Sequence, residues 1–305
     1  MELQVKRVLC TVDLSKATPT LIDFATSLSC RYEATLFIFH ALYHAPDTFT
    51  GSDELERKRS LTEWANDARR QIESFMPEAP CRWQTMVVEG EPVEAAARVV
   101  REQQIDLAIT RRQSFSALRK IFRWTLIERL ARHLSTPLLI LPPAGKSDAK
   151  MIRPHQVFER IVLACDLKTH GQQARQLVFG LARDFGTHLH LFHAMEAPMD
   201  ERLVNPTEGP YWQVQEELQK KLRQKLFTLG TPLRHTSVEL SAALRPGPAA
   251  ESVCDYAGSV GATLVAVGAR RHGKLGKLLI GSTTETLLRN APCAVLVLPD
   301  DIQTT

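Results

Sequence analysis

The sequence predicts two α/β domains in tandem, each a doubly wound five-stranded parallel sheet. Three observations lead there. The chain has 305 residues, about twice the length of an ordinary domain. It repeats itself: the run from Arg7 to Leu14 lies over the run from Arg160 to Leu167 without gaps, an offset of 153 residues. Within each half, short apolar runs alternate with helix-periodic segments, the pattern of a parallel sheet covered on both faces.

The elements follow in order. Val8–Val12 and Ile161–Cys165 are apolar runs suited to buried strands. Leu21, Phe24, Ala25 and Leu28 recur at helical spacing, as do Leu177, Val178, Leu181 and Ala182. Second strands are predicted at Thr35–His40 and His188–His193, where the repeat carries Leu36–Ala41 onto Leu189–Ala194. Charged helices follow at Asp53–Phe75 and Trp212–Leu229, then third strands at Arg82–Val88 and His235–Leu240. Helices at Val93–Gln103 and Ala249–Gly258 lead to fourth strands at Asp106–Thr110 and Thr263–Val267. A loop, a helix and a last strand close each half, at Pro137–Leu141 and Cys293–Leu298, and here the offset has grown to 157. The stretch Pro142–Lys150, rich in Pro, Gly and polar residues, reads as a linker. The predicted domains are therefore 1–143 and 157–305. In such sheets ligands sit beyond the carboxyl ends of the strands, at the switch point.

Composition narrows the function classes. Hydrophobic residues make up 44% and charged residues 24%, proportions of an ordinary globular chain, which excludes collagenous and wholly disordered classes. A formal net charge of +4 is too small a bias to imply nucleic-acid binding. The start, Met1–Arg7, mixes charges before any apolar run and does not read as a signal peptide. No run reaches the roughly 18–20 apolar residues of a membrane span. The six cysteines are scattered without a C-x-x-C pair, so buried free thiols in a cytoplasmic protein are expected.

At this point the chain resembles the tandem form of the universal stress protein family. The first strand of each half ends in an acidic residue, Asp13 or Asp166, and the second in an aromatic-His pair, Phe39-His40 or Phe192-His193. Val88-Glu89-Gly90-Glu91-Pro92 matches the family's Gly-x-Pro start of the third helix. The closing segment Gly268–Glu285 followed by Asn290–Val297 carries the rest of the likeness. The resemblance implies Rossmann-like domains, packed as an internal pseudo-dimer through Leu138–Leu141 and Val295–Leu298, with a homodimer of chains as a further option. It implies a non-enzymatic stress-response factor that binds an adenine nucleotide, ATP, once per chain, with Mg accompanying it.

Nucleotide-binding members of the family carry G-x2-G-x9-G-[S/T]. Glycines let backbone approach phosphates, and the last Gly-Ser opens a helix whose amides bind an anion. In the second half Gly268, Gly281 and Ser282 fill the motif, with Thr283 next, while Arg271 replaces the second glycine. That arginine either closes the pocket or pairs with phosphate. By the same resemblance Cys165 and Asp166 border the nucleoside and Ala194 faces the adenine through its backbone. In the first half the matching positions are Arg111, Ser114, Trp124 and Thr125, so that half is expected to be a degenerate partner without nucleotide.

Plainer readings compete. Asp13 suits a loop carboxylate that caps a turn. His188, His190 and His193 alternate in direction along a strand and do not converge on a metal; His193, matched by His40, belongs to the scaffold. Arg111, Arg112, Arg119, Lys120 and Arg123 read as a solvated basic loop, with anion binding as the alternative. The apolar stripes of the charged helices read as core. No catalytic motif is present, so the alternatives are an interaction scaffold without small ligand or a slow ATPase using His272 or Asp166 as base.

Overall fold

The structure, a computed structural model, describes residues 4–43, 54–76, 78, 81–112, 120–143, 152–167, 172–195, 210–271, 278–279 and 281–299. Of 54–59, 120–125, 172–174, 210–215, 270–271 and 278–279 it describes the backbone alone. The chain divides into two compact units, one built on Gln4–Pro154 and the other on His155–Arg271 with Leu279–Asp301.

The first unit runs β1 (Arg7–Thr11), α1 (Thr18–Arg31), β2 (Thr35–Leu42), α2 (Glu54–Ser74), β3 (Trp83–Glu89), α3 (Pro92–Glu102), β4 (Leu107–Arg111), α4 (Lys120–His133) and β5 (Leu138–Leu141). Its sheet is parallel, in the order β3-β2-β1-β4-β5. The second unit runs α5 (Pro154–Val157), β6 (Arg160–Ala164), α6 (Gln172–Phe185), β7 (His188–Met195), α7 (Pro210–Leu229), β8 (Glu239–Pro246), α8 (Ala249–Ser259), β9 (Leu264–Arg271), β10 (Leu278–Leu279), α9 (Ser282–Asn290) and β11 (Ala294–Pro299). Its sheet is also parallel, β8-β7-β6-β9-β11. The α/β tandem expected from the repeat is what forms.

Burial explains why the apolar runs became central strands. In β1 the middle residues Val8, Leu9 and Cys10 are fully buried, and in β6 Ile161, Val162 and Leu163 are buried. Helices cover both faces, so no polar alternation is needed. In each unit the sheet order reverses between β1 and β4, or β6 and β9, and opens the switch point there.

The repeat extends to single hydrogen bonds. The His40 Nδ1–H donates to the Val12 carbonyl at 3.0 Å, and the His193 Nδ1–H to the Cys165 carbonyl at 2.7 Å. A backbone carbonyl can only accept, which fixes the tautomer. Both histidines are thus scaffold latches between the first two strands. Arg7 Nη1 donates to the Gln103 carbonyl at 3.1 Å, and Arg160 Nη1 to the Val260 carbonyl at 2.7 Å. Gly90 and Gly247 share a left-handed φ of 132° and 123°, a conformation that a side chain disfavours. Their amides donate to Leu42 and Met195, each at 3.1 Å.

Several expectations change. The third strand of the second unit begins at Glu239, not His235, because a 3-10 turn at Thr231–Leu233 and the left-handed His235 (φ 68°) consume the chain first. The fourth strand runs on through Gly268 to Arg271. Two cations expected in a solvated basic loop are buried instead: Arg111 ends β4 at 7% exposure and Arg112 follows at 6%; the backbone of Lys120 and Arg123 lies in α4, and Arg119 falls outside the described residues. A strand in a sheet covered on both faces has no solvated side to offer Arg111. The stripe of α7 is not all core: Leu226 is fully buried, but Leu218 and Phe227 are half exposed, at 52% and 50%. All six cysteines are free, yet only Cys10 and Cys293 are buried; the other four are partly exposed.

Candidate functional site

The predicted site residues of the second unit come from four elements. Cys165 and Asp166 follow the carboxyl end of β6; Ala194 lies near the end of β7; Gly268 and Arg271 lie in β9; and Gly281, Ser282 and Thr283 start α9. All sit at the carboxyl side of the parallel sheet.

Gly268 stands opposite Leu298 in the β9–β11 ladder, so it belongs to the strand rather than to a loop. Its carbonyl accepts from Thr284 Oγ1 at 3.1 Å, which ties the first turn of α9 to the strand end. Among the described residues, a methyl group built on Gly268 or on Gly281 would meet nothing within 4 Å, and both residues are exposed. Gly281 is the N-cap of α9, extended at φ −68° and ψ 160°, and as a glycine it offers the helix no side-chain cap of its own. The first amides of such a helix have no intrahelical partner and carry partial positive charge. The start of α3 is the contrast: there Glu91 Oε2 accepts from the Val93 and Glu94 amides, each at 3.0 Å. Ser282 is exposed and Thr283 half-buried.

At the end of β6, the Cys165 amide donates to the Phe192 carbonyl at 2.7 Å and its thiol donates to the Leu163 carbonyl at 3.5 Å. Burial pushes the thiol up to about 12, against the opposing pull of the Arg175 guanidinium. Cys165 is therefore a neutral packing group, not a nucleophile. Asp166 lines a cleft of about 540 Å³ with Arg175 of α6 and Lys221 and Lys225 of α7. None of the other seven predicted residues lines it. The sequence reading overlooked these three cations; the signal was the four-residue spacing of Lys221 and Lys225 on one face of α7.

The histidines of β7 go to separate partners. His188 Nδ1 pairs with Glu239 Oε2 at 2.9 Å, His190 Nδ1 lies 3.0 Å from the Tyr256 hydroxyl, and His193 latches the scaffold. Among the described residues no group of three His, Cys, Asp or Glu side chains could hold a metal. His272 lies outside them.

The first unit closes the equivalent space. Arg111, which matches Gly268, turns its Nη1 to Thr20 Oγ1 of α1 at 2.7 Å. It lies beside Cys10, whose thiol burial pushes up to about 12 while Arg111 opposes. Trp124 does not open a helix, as its match to Gly281 suggested; it lies one turn inside α4, which begins at Lys120. No glycine occurs between Arg112 and Trp124 to stop the helix forming earlier. Asp13 Oδ1 accepts from the Ser15 amide at 3.1 Å, the turn-capping role expected of it. Ser114 lies outside the described residues.

Comparison with known proteins agrees with this architecture. The model of the universal stress protein family matches twice, over residues 4–142 and 158–299. A universal stress protein of Thermus aquaticus is 30% identical over 142 residues, covering 46% of this chain and 98% of that protein. The crystal structure of a universal stress protein from Archaeoglobus fulgidus superposes with a TM-score of 0.65 at 16% identity, over 98% of this chain and 100% of that one. A functionally unknown protein from Pseudomonas aeruginosa gives 0.64 at 18% identity, over 98% and 94%. At those identities the two structures speak for the fold. No helix among the described residues is long and apolar enough to cross a membrane.

Proposed function

Because the chain belongs to the universal stress protein family, with two domains of that family in tandem, we propose that it is a cytoplasmic stress-response factor that binds one adenine nucleotide, ATP, in its second domain. In this reading the molecule acts through the bound ligand and not through turnover. The observation that carries the reading is the paired opening that the described residues leave at Gly268 and Gly281, at a helix start whose N-cap residue has no side chain. Phosphates suit that place because backbone amides and the helix dipole favour an anion where no Cβ intrudes. Ser282 and Thr283 add hydroxyls at the same helix start, and Arg271 ends the strand beside it. Cys165, Asp166 and Ala194 border the nucleoside at the ends of β6 and β7. A Mg ion carried by the nucleotide would have Asp166 as the nearest carboxylate of this set.

Calorimetry with ATP tests the reading. The wild type is expected to bind close to one equivalent, and Gly281→Trp to bind none, since an indole fills the space over the α9 amides. A stoichiometry near two, or binding that survives Gly281→Trp, overturns the assignment. Native mass spectrometry of the protein as purified separates it from a ligand-free scaffold, because a nucleotide held through purification adds its mass to the chain.

A further inference from the structure

We propose that Cys30 and Cys81 of the first domain form a reversible disulfide when the protein meets a peroxide. Cys30 lies in the last turn of α1, and Cys81 lies two residues before β3. The Cys81 thiol points at the carbonyl of Thr26 at 4.0 Å. Thr26 is four residues before Cys30, so the two share one face of the helix. Cys81 thus lies over the turn that carries Cys30. Both are free and partly exposed, so a small oxidant can reach them. A disulfide needs about 2.05 Å between sulfurs, a closure that side-chain rotation can supply.

The second domain has nothing comparable. The positions matching Cys30 and Cys81 are Arg183 and Val238. Cys165 gives its thiol to a backbone carbonyl, and Cys293 is buried; in the first domain Cys10 is likewise sealed inside the sheet. The pairing is a local property of the face where α1 ends and β3 begins.

The chemistry divides between the two residues. Burial and the neighbouring Cys30 thiol push the Cys81 thiol up, which suits Cys81 to the second step and assigns the first attack to Cys30. The Cys30 thiolate attacks one peroxide oxygen, the O–O bond breaks, and water leaves after protonation, giving a sulfenic acid. The Cys81 sulfur then attacks the Cys30 sulfur. The S–S bond forms, the S–O bond breaks, and the thiol proton leaves with the oxygen as a second water. Two thiols and one hydrogen peroxide become one disulfide and two waters. Each sulfur gives up one electron, and the peroxide takes two. Such bonds in reducing compartments are transient sensors rather than permanent staples.

The experiment treats the full native chain with hydrogen peroxide, blocks residual thiols, and maps peptides without reduction. The expected result is a crosslinked pair containing Cys30 and Cys81, lost on adding dithiothreitol, with Cys10 and Cys293 still blocked as thiols. Cys81→Ser should instead leave a sulfenic acid on Cys30 that dimedone captures. Cys30→Ser should leave Cys81 unmodified. If peroxide leaves both thiols blockable in the wild type, or drives Cys30 to a sulfinic acid without any crosslink, the proposal is wrong. Crosslinking that appears only after the protein is unfolded in urea also overturns it.

Discussion

The two domains share a scaffold down to individual hydrogen bonds and part company at one strand end. Where β9 has Gly268, whose Cβ position no described residue approaches, β4 has Arg111, buried and bonded to Thr20. The helix that follows differs in the same sense. In the second domain the chain leaves the strand and starts α9 only at Gly281, a residue with no side chain to cap it. In the first, α4 already runs from Lys120, so the position matching Gly281 is helix interior. Amides inside a helix are bonded to carbonyls one turn back and have nothing left for a ligand. One domain has buried an arginine at this strand end and the other has kept a glycine there, while the latches at His40 and His193 stayed the same.

Exchanging the divergent residues tests this contrast with the largest effect. Gly268→Arg brings the first domain's solution into the second and should weaken ATP binding at least ~100-fold by calorimetry. Arg111→Gly is expected to create no second site, because α4 still occupies the place of a phosphate loop. It should destabilise the first domain by about 2–4 kcal/mol, since it empties a packed volume, removes the bond that Thr20 Oγ1 accepts and adds backbone freedom. Chemical denaturation reads that loss. Unchanged ATP affinity in Gly268→Arg would show that the ligand lies elsewhere, with the cleft beside Arg175, Lys221 and Lys225 as the next place to look.

Much of this was legible before any coordinates. The repeat and the apolar runs placed the buried central strands, whereas the half-exposed β8 lies later than its sequence suggested and β10 had no signal at all. The site was legible only in part. Gly281 and Ser282 announce a helix start by residue type, but the depth to which β9 extends depends on pairing with β11 across the sheet, which local sequence does not encode. Arg111 and Arg112 looked solvated because arginine in a run of cations usually is; their burial follows from the strand they end. The Cys30–Cys81 approach was invisible because the two residues come together only when α1 and the segment before β3 pack on the same sheet.

Left-handed positions sharpen the comparison at a smaller scale. Gly186 (φ 61°) and Gly261 (φ 62°) in the second domain match Glu33 (φ 53°) and Gln104 (φ 49°) in the first. A side chain there costs about 1–2 kcal/mol. Gly186→Glu should cost the second domain about 1 kcal/mol. Gly261→Gln should cost more, because its Cβ would come within 3.2 Å of Arg160 Nη1, which already serves the Val260 carbonyl. Glu33→Gly should raise the stability of the first domain by up to ~1 kcal/mol. Gln104→Gly should gain less, since it gives up the 2.8 Å bond from Arg7 Nη1 to Gln104 Oε1. Denaturant midpoints order the four variants; a neutral Gly261→Gln would contradict the argument.

The smallest difference concerns protons. His190 in β7 matches Phe37 in β2. Burial lowers the pKa of His190 below 6.5, and Arg160 and His188 lower it further. Around it, the Tyr256 hydroxyl lies 3.0 Å away, Arg245 sits over the Tyr256 ring, and the Glu239 carboxylate is engaged with His188. The unfolded chain therefore takes up this proton at a higher pH than the folded one does. Stability from this group is complete above about pH 7 and declines as the pH falls through the unfolded value near 6.5 toward 5. His190→Phe copies the first domain and removes the titration. Its Tm at pH 7 can fall, because Tyr256 loses a hydrogen-bond partner, so the reading is the slope and not the level. The drop in Tm from pH 7 to pH 5 should be smaller in His190→Phe than in the wild type. An equal drop in both would mean that His190 protonates as readily in the folded chain as in the unfolded one.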